Sequence, residues 1–556
     1  MTAPPEAAGR LRRITGHRAV RWTSTALAAL VVYVALAAPR EVGQLTPAAL
    51  VRIPVEGLVA VALLLVLPPR WRRVSAAAGG ALLGVMTLLK VFDMGFLSVF
   101  GRPFDLVLDW VLLGNAREFL DESFGGAAAL GAAVAAVVLV VAVVVLMTLA
   151  ALRLGRVLDR HRTAATRAVA VLGVAWLGCL ALGAQIVAPV PVASRSAASL
   201  AWEKALQVPA SLRDEREFAA QAADDPFRSV PNGDLLTALR GKDVMLTFVE
   251  SYGRSAVDDP RYAPQVDAVL DGGTAKLAAA GYSARSGWLT SPVAGGGSWM
   301  AHSTFHSGVK IGNQQRYQSL VASDRLTLGA AFKRAGWETT GVMPATNKAW
   351  PEGAFFGIDR IHDGPHLGYR GPGFSFSPMP DQYTLGAFEH LEHGRADRGP
   401  EFAQVELTSS HVPWTPIPQP VDWNALGDGT VFAPQVAAVD PPDVVWKDDD
   451  RVRASYRQTI EYSLNTLVDY VQRYGNDNLV LIFLGDHQPA SIITGDGASH
   501  DVPITIVAKD PSVLNRVASW HWDAGLRPGP QAPVWPMEAF RNRFLTAFGP
   551  GDAGPA

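Results

Sequence analysis

The residues best equipped for chemistry stand in three short stretches. The first is Gly295-Gly296-Gly297-Ser298, continuing through Trp299-Met300-Ala301-His302 to Gly308. Three glycines let the backbone turn sharply and approach a ligand closely. The serine comes where a helix begins, so backbone N–H groups and the helix dipole favour an anion beside its hydroxyl. That placement suits a nucleophile attacking a phosphate or sulfate ester; a serine in the same place also serves as an ordinary N-cap. The second stretch, residues 243–251, is an apolar run tipped by Glu250, and the third, residues 479–487, is another tipped by Asp486-His487. Such runs read as buried strands, and open α/β sheets bind ligands beyond the carboxyl ends of their strands. Glu250, Ser298, Asp486 and His487 are therefore expected at one sheet edge. Two carboxylates and an imidazole there suit a divalent metal ion of the manganese or zinc kind.

The elements that must position these residues fill the second half of the chain. From Gly241 onward, strand-like runs at 243–249, 282–289, 338–343, 401–408, 478–484 and 502–508 alternate with helical ones at 264–280, 299–308, 324–335 and 451–474. The alternation predicts an α/β domain whose mostly parallel central sheet is covered by helices. About 270 residues are available to it, enough to bury a large core.

The first half has a different composition. The chain has 556 residues, 49% hydrophobic and only 18% charged, and the apolar residues concentrate before about position 190, the signature of a membrane protein. Five apolar segments, at 22–38, 54–69, 74–98, 126–152 and 168–188, read as a five-helix transmembrane domain occupying residues 1–192. The cations Arg10, Arg12, Arg13, Arg18 and Arg21, then Arg70, Arg72 and Arg73, then Arg153, Arg156, Arg160, Arg162 and Arg167 alternate with cation-poor loops. The positive-inside rule then places the N-terminus inside and everything beyond residue 193 outside the cell membrane. Lys90 and Asp93, three apart within the third segment, are expected to neutralise each other on one helix face. Residues 104–113 read as an amphipathic stretch lying on the outer surface. Residues 193–235 read as a helical linker ending in the Pro231-Asn232-Gly233 turn, residues 236–515 as the catalytic domain and 516–556 as a C-terminal extension. A net charge of −2 implies no polyanionic partner. The single cysteine, Cys179, excludes disulfides within the chain. No Walker-type glycine-lysine loop is present, so no nucleotide is expected as a partner, and the near-neutral charge gives no reason to expect nucleic acid.

Taken together, the motifs resemble those of the alkaline phosphatase/sulfatase superfamily, and among its membrane-anchored members they are most similar to lipoteichoic acid synthase-type phosphoglycerol transferases. The resemblance implies a sulfatase-like α/β domain outside the membrane, with Glu250, Ser298, Asp486 and His487 around one divalent metal ion, Mn2+ in the first instance and Zn2+ or Mg2+ as alternatives. Ser298 to Gly308 keeps the spacing of the sulfatase signature, but Trp299-Met300 stands in place of x-Pro and His302 in place of its arginine. That departure favours a plain serine over an aldehyde-bearing nucleophile. His411, in Thr408-Ser409-Ser410-His411-Val412-Pro413-Trp414, matches a histidine that contacts the substrate phosphate in the synthases. Asn347, Lys348 and Trp350 resemble a segment beside the head group, with Glu352 where an arginine is expected. His302 is expected to face the phosphate, His306 to be packed in the core, and His500-Asp501 to support His487 or line the site. The implied activity is transfer of a phosphoglycerol-type head group from a membrane phospholipid to an extracytoplasmic glycan or glycolipid through a phospho-serine. The alternatives are a phosphoethanolamine transferase, or a sulfatase- or phosphodiesterase-type hydrolase.

Overall fold

The computed structural model describes residues 5–550 except 101, 111, 113–116, 118–125, 189, 375, 438 and 496, with backbone alone for 5–19 and 98–100. By internal contacts the chain divides into one unit of residues 1–98 and 102–213 and another of residues 99–101 and 214–556.

The first unit is helical. Val20–Ala37, Pro69–Leu97, Gly126–Arg160 and Arg162–Ala181 are long and apolar enough to cross a membrane. The remaining expected segment forms the helix Val55–Val66, whose 12 residues rise about 18 Å, short of the roughly 30 Å hydrocarbon layer. Pro54 precedes it and Pro68 and Pro69 follow, and proline cannot continue a helix. Helix ends leave carbonyls without partners, and buried cations supply them here. Arg72 donates to the carbonyls of Leu64 (2.7 Å) and Leu67 (2.8 Å) where the short helix ends.

Lys90 does the same for the first helix, donating to the carbonyls of Ala35 (2.9 Å) and Ala38 (2.8 Å). The expected Lys90–Asp93 pair is thereby corrected, because each charge has a different partner. Asp93 accepts from Lys204 Nζ at 2.8 Å and from the Phe104 amide at 3.0 Å. The stretch from 104 opens in a buried turn rather than on the surface, and only from Trp110 do its described residues turn helical. Phe104 is buried against Phe92 and Phe96, and Asp105 accepts from the amides of Val107 and Leu108 in a turn. Residues 111 and 113 of that stretch, the acidic Glu118, Asp121 and Glu122 and the side chains of Arg10, Arg12, Arg13 and Arg18 lie outside the described residues.

The second unit is built on one sheet. Its strands are β1 (Asp243–Val249), β2 (Ser283–Thr290), β3 (Glu338–Met343), β4 (Arg360–Asp363), β5 (Glu401–Leu407), β6 (Leu479–Gly485), β7 (Asp501–Ala508), β8 (Asp523–Ala524) and β9 (Val534–Pro536). The order is β8-β2-β7-β6-β1-β5-β3-β4, with β9 also paired to β2. The run β6-β1-β5-β3-β4 is parallel throughout and β7 is antiparallel to both neighbours, so the mostly parallel sheet expected is present. Every residue of β1 is buried, as a central strand covered on both faces must be. Successive side chains alternate faces. Leu246 and Phe248 join a core with Phe305, Phe332 and Phe544, while Met245 and Val249 join one with Leu270, Tyr456 and Leu464.

Register decides what meets at the edge. Gly485 pairs with Val249, and Val249 with Leu407, so the residues that follow, Asp486, Glu250 and Thr408, leave the sheet in one row. Strand β2 is antiparallel to β7, which is antiparallel to β6, so β2 ends at the same edge and hands the chain to the glycine-rich loop. The chain beyond 516 adds β8 and β9, then a helix, Ala539–Ala547, whose fully buried Arg541 grips Asp225 at 2.7 and 2.8 Å.

Candidate metal-dependent active site

The helix carrying the serine, Ser298–Ser307, begins after three glycines with φ of +75°, +159° and +86°. A side chain is strained at such values, so the glycines permit the turn that puts Ser298 first on the helix. Its Oγ donates to Glu250 Oε2 at 3.1 Å and lies 3.2 Å from His487 Nε2. His487 Nδ1 donates to the Gln488 carbonyl at 2.9 Å, which leaves the lone pair of a neutral ring on Nε2, facing the serine. His487 Nε2 is 3.4 Å from Glu250 Oε1 and 3.6 Å from Asp486 Oδ2.

Asp486 divides its two oxygens between structure and site. Oδ1 accepts the amides of Ser251 and His487, both at 2.8 Å, fastening the loop after β1 to the loop after β6. Oδ2 is buried and has no hydrogen-bond partner. A buried carboxylate oxygen left this way is costly. Ligand atoms of Glu250, Asp486 and His487 lie within 4.8 Å of one another. The orphaned oxygen and the oxygen-plus-imidazole donor set fit a divalent cation.

The charges are interdependent. Burial raises the Asp486 carboxyl, and the neighbouring charge of Glu250 raises it further. Burial also works to raise Glu250, but the charges of His487 and His411 outweigh it and hold that carboxyl below its usual range. Burial opposes the charged form of His487, while Asp486 and Glu250 overcome it and raise the imidazole. Two acids that repel each other across a shared imidazole are what a cation would relieve.

Gln488, which the sequence reading passed over, ties three loops together. Its carbonyl accepts from His487 Nδ1 and, at 2.7 Å, from the amide of Gly295 on the nucleophile loop. Its side chain accepts the Ser255 amide at 3.2 Å. The fit is close: a Cβ on Gly253 would sit 1.9 Å from Gln488 Oε1 and 2.9 Å from its Cα.

No family model and no curated protein sequence matches the chain. Solved structures do. The lipoteichoic acid synthase LtaP from Listeria monocytogenes is 15% identical, with 56% of this chain and 73% of that one covered at a TM-score of 0.38. The C-terminal periplasmic domain of EcEptC from Escherichia coli, in complex with zinc, is 13% identical, with 57% and 86% covered at 0.37. The phosphoglycerol transferase GacH from Streptococcus pyogenes, in complex with sn-glycerol-1-phosphate, is 12% identical, with 60% and 91% covered at 0.33.

The other expected residues divide by place. His302 stacks on Phe248 with centroids 3.9 Å apart, its Nδ1 lies 3.3 Å from Glu406 Oε1, and its buried Nε2 has no hydrogen-bond partner. His306 is fully buried and bonds Gln404 through Nε2 at 2.8 Å, and burial pushes its imidazole down to about 3; it is the packed histidine expected. Gln404 and Glu406 are the further polar residues here. They stand at alternate positions of β5, whose other residues after Glu401 are apolar, and share a 3.2 Å hydrogen bond, a period-2 polar pattern visible in the sequence. His411 stacks on Phe376 at 3.7 Å and its Nδ1 donates to the Val412 carbonyl at 2.6 Å. Asn347 and Lys348 are exposed on the turn after β3, while Trp350 is half-buried and stacks on Phe356; no hydrogen bond between described residues joins Asn347 or Trp350 to the four-residue cluster. His500-Asp501 does not hold His487, whose Nδ1 is taken by Gln488. Asp501 instead accepts from Arg254 at 3.1 Å and Thr290 at 2.8 Å.

Proposed function

We propose that the protein is a metal-dependent phosphotransferase that moves a phosphoglycerol-type head group from a membrane phospholipid to an extracytoplasmic glycan or glycolipid. The observation that carries this reading is the placement of Ser298 Oγ, 3.1 Å from Glu250 and 3.2 Å from His487, beside a buried Asp486 oxygen without a partner.

Glu250, Asp486 and His487 would hold the cation, with Ser298 as the fourth group around it. A divalent cation there supplies Lewis-acid charge that lowers the pKa of the serine hydroxyl and offsets negative charge on the reacting phosphate; manganese fits this donor set, as do zinc and magnesium. The rest follows from the chain's own groups. Ser298 Oγ attacks phosphorus, an Oγ–P bond forms, and the bond from phosphorus to the lipid oxygen breaks. The lipid leaves as diacylglycerol, its alkoxide taking up the proton that Ser298 gave up. A hydroxyl of the acceptor then attacks the same phosphorus and Ser298 regains its proton. His302 and His411, both beside the cluster, are the groups to meet the phosphate oxygens. Asn347, Lys348 and Trp350 are the head-group contacts of the same reading. The four long apolar helices anchor the catalytic unit to the membrane that carries its lipid substrate.

A second reading has its own observation. Glu352 stands beside Trp350 where the resemblance leads one to expect an arginine, and a carboxylate there suits a cationic ethanolamine better than glycerol. Incubating the purified protein with phosphatidylglycerol and, separately, phosphatidylethanolamine distinguishes the two. Diacylglycerol from phosphatidylglycerol is the expected result. Diacylglycerol from phosphatidylethanolamine alone would make the protein a phosphoethanolamine transferase, and free head group without a glycan adduct would make it a hydrolase.

A further inference from the structure

Between the helix Pro5–Ala37 and the helix Gly126–Arg160 lies a half-open cavity of about 370 Å³, lined by Arg21, Trp22, Arg153, Arg156, Arg160 and His161. Arg153, Arg156 and Arg160, at spacings of three and four, share one helix face. Like charges so placed repel unless an anion joins them. Among the described residues no carboxylate pairs with Arg21, Arg153, Arg156 or Arg160, and the nearest acid in sequence, Asp159, is bound to Arg72. Arg153 is fixed in place, its Nε donating to Thr25 Oγ1 at 3.1 Å and its Nη2 to the Arg21 carbonyl at 2.7 Å.

We infer that this cavity binds the phosphate of an anionic phospholipid at the cytoplasmic face of the membrane. Guanidinium forks match phosphate oxygens in pairs, and a pocket of this size holds a head group. Three features select a lipid over free phosphate. The cavity lies at the arginine-rich ends of the helices, which the positive-inside rule puts in the cytoplasmic leaflet. Trp22 is 74% exposed beside it, as aromatic side chains at head-group level are. From there the same two helices expose Leu27, Leu30, Leu146 and Leu149, an apolar surface along which an acyl chain can lie. The site is independent of the head group that Ser298 handles.

The full chain, carrying Ser298→Ala so that no lipid is turned over, is equilibrated in detergent micelles holding equal phosphatidylglycerol and phosphatidylcholine and examined by native mass spectrometry. One retained phosphatidylglycerol is expected. Arg156→Gln with Arg160→Gln, which spares the bonds of Arg153, should weaken its retention roughly 30-fold for two charges removed. Equal retention of both lipids would overturn the inference, as would unchanged retention in the double variant. Displacement of the lipid by millimolar inorganic phosphate would also overturn it, by assigning the cavity to a free anion.

Discussion

Replacing Asp486 with asparagine separates the two tasks of that side chain. The asparagine carbonyl keeps the position of Oδ1 and both amide bonds, to Ser251 and His487 at 2.8 Å each, so the brace between the loops survives. The amide NH2 takes the place of Oδ2, the buried oxygen without a partner, and presents hydrogens where a cation needs a lone pair. The metal-free variant should therefore melt within about 2 °C of the parent, since a buried charge is lost and no backbone donor is orphaned. Asp486→Ala removes both acceptors and should cost roughly 2–4 kcal/mol without metal. A cation at a hundred times its Kd stabilises by about 2.7 kcal/mol, a rise of roughly 5 °C at about 2 °C per kcal/mol for a large domain. The assay is thermal unfolding of chelator-stripped protein with and without added Mn2+ or Zn2+. The parent should show that rise and Asp486→Asn less than about a fifth of it. A variant that keeps the parent's metal-dependent rise would refute the assignment of Oδ2 as a ligand atom.

Further expectations follow from individual contacts. Ser298→Ala should reduce turnover by roughly 10⁴-fold or more while Ser298→Thr keeps part of it, because threonine supplies the same hydroxyl; kcat on a phosphatidylglycerol substrate measures both. Gly253→Ala should lower kcat on the order of 100-fold with the fold retained by circular dichroism, because its Cβ would sit 2.9 Å from the Gln488 Cα and must push apart the loops that carry Glu250 and His487. At the opposite end of the sheet Glu401 is 2% exposed, both its oxygens lack a hydrogen-bond partner, and burial pushes its carboxyl up from 4.5 to about 7. The native state then holds the proton more tightly than the unfolded chain, so stability falls as pH rises from about 4.5 to about 7, by roughly 3 kcal/mol. Glu401→Gln should flatten that part of the stability profile in urea titrations; an unchanged slope would show that another group sets it.

Much of this arrangement is legible in the amino-acid sequence. The six strand runs read from the sequence match β1, β2, β3, β5, β6 and β7 to within a residue or so; β1, β6 and β7 are compact apolar runs, and the more polar β2, β3 and β5 fall between helical runs where the alternation calls for a strand. The short β4, β8 and β9 were missed; two to four residues such as Asp523–Ala524 carry no periodicity. In the helical unit the sequence shows apolar length but not what a charge touches, so Lys90 and Asp93 read as a pair although each closes a contact more than fifty or a hundred residues away. The meeting of Glu250, Ser298, Asp486 and His487 was legible from strand tips. The bracing by Ser251, Gly253 and Gln488 was not, because it depends on backbone groups and on a loop approach that no residue type announces. Glu406 and Gln404 did leave a trace, as polar residues at alternate positions of a buried strand.

The central claim is that Ser298 carries the phosphoryl group between donor and acceptor. The direct measurement is tandem mass spectrometry of the peptide containing Ser298 after rapid acid quenching of a reaction with phosphatidylglycerol in the absence of acceptor. The account predicts a glycerol-phosphate ester on Ser298 that disappears when acceptor glycan is added before the quench. A peptide lighter than serine by two hydrogens, showing an aldehyde, or a modification on any other residue would contradict it.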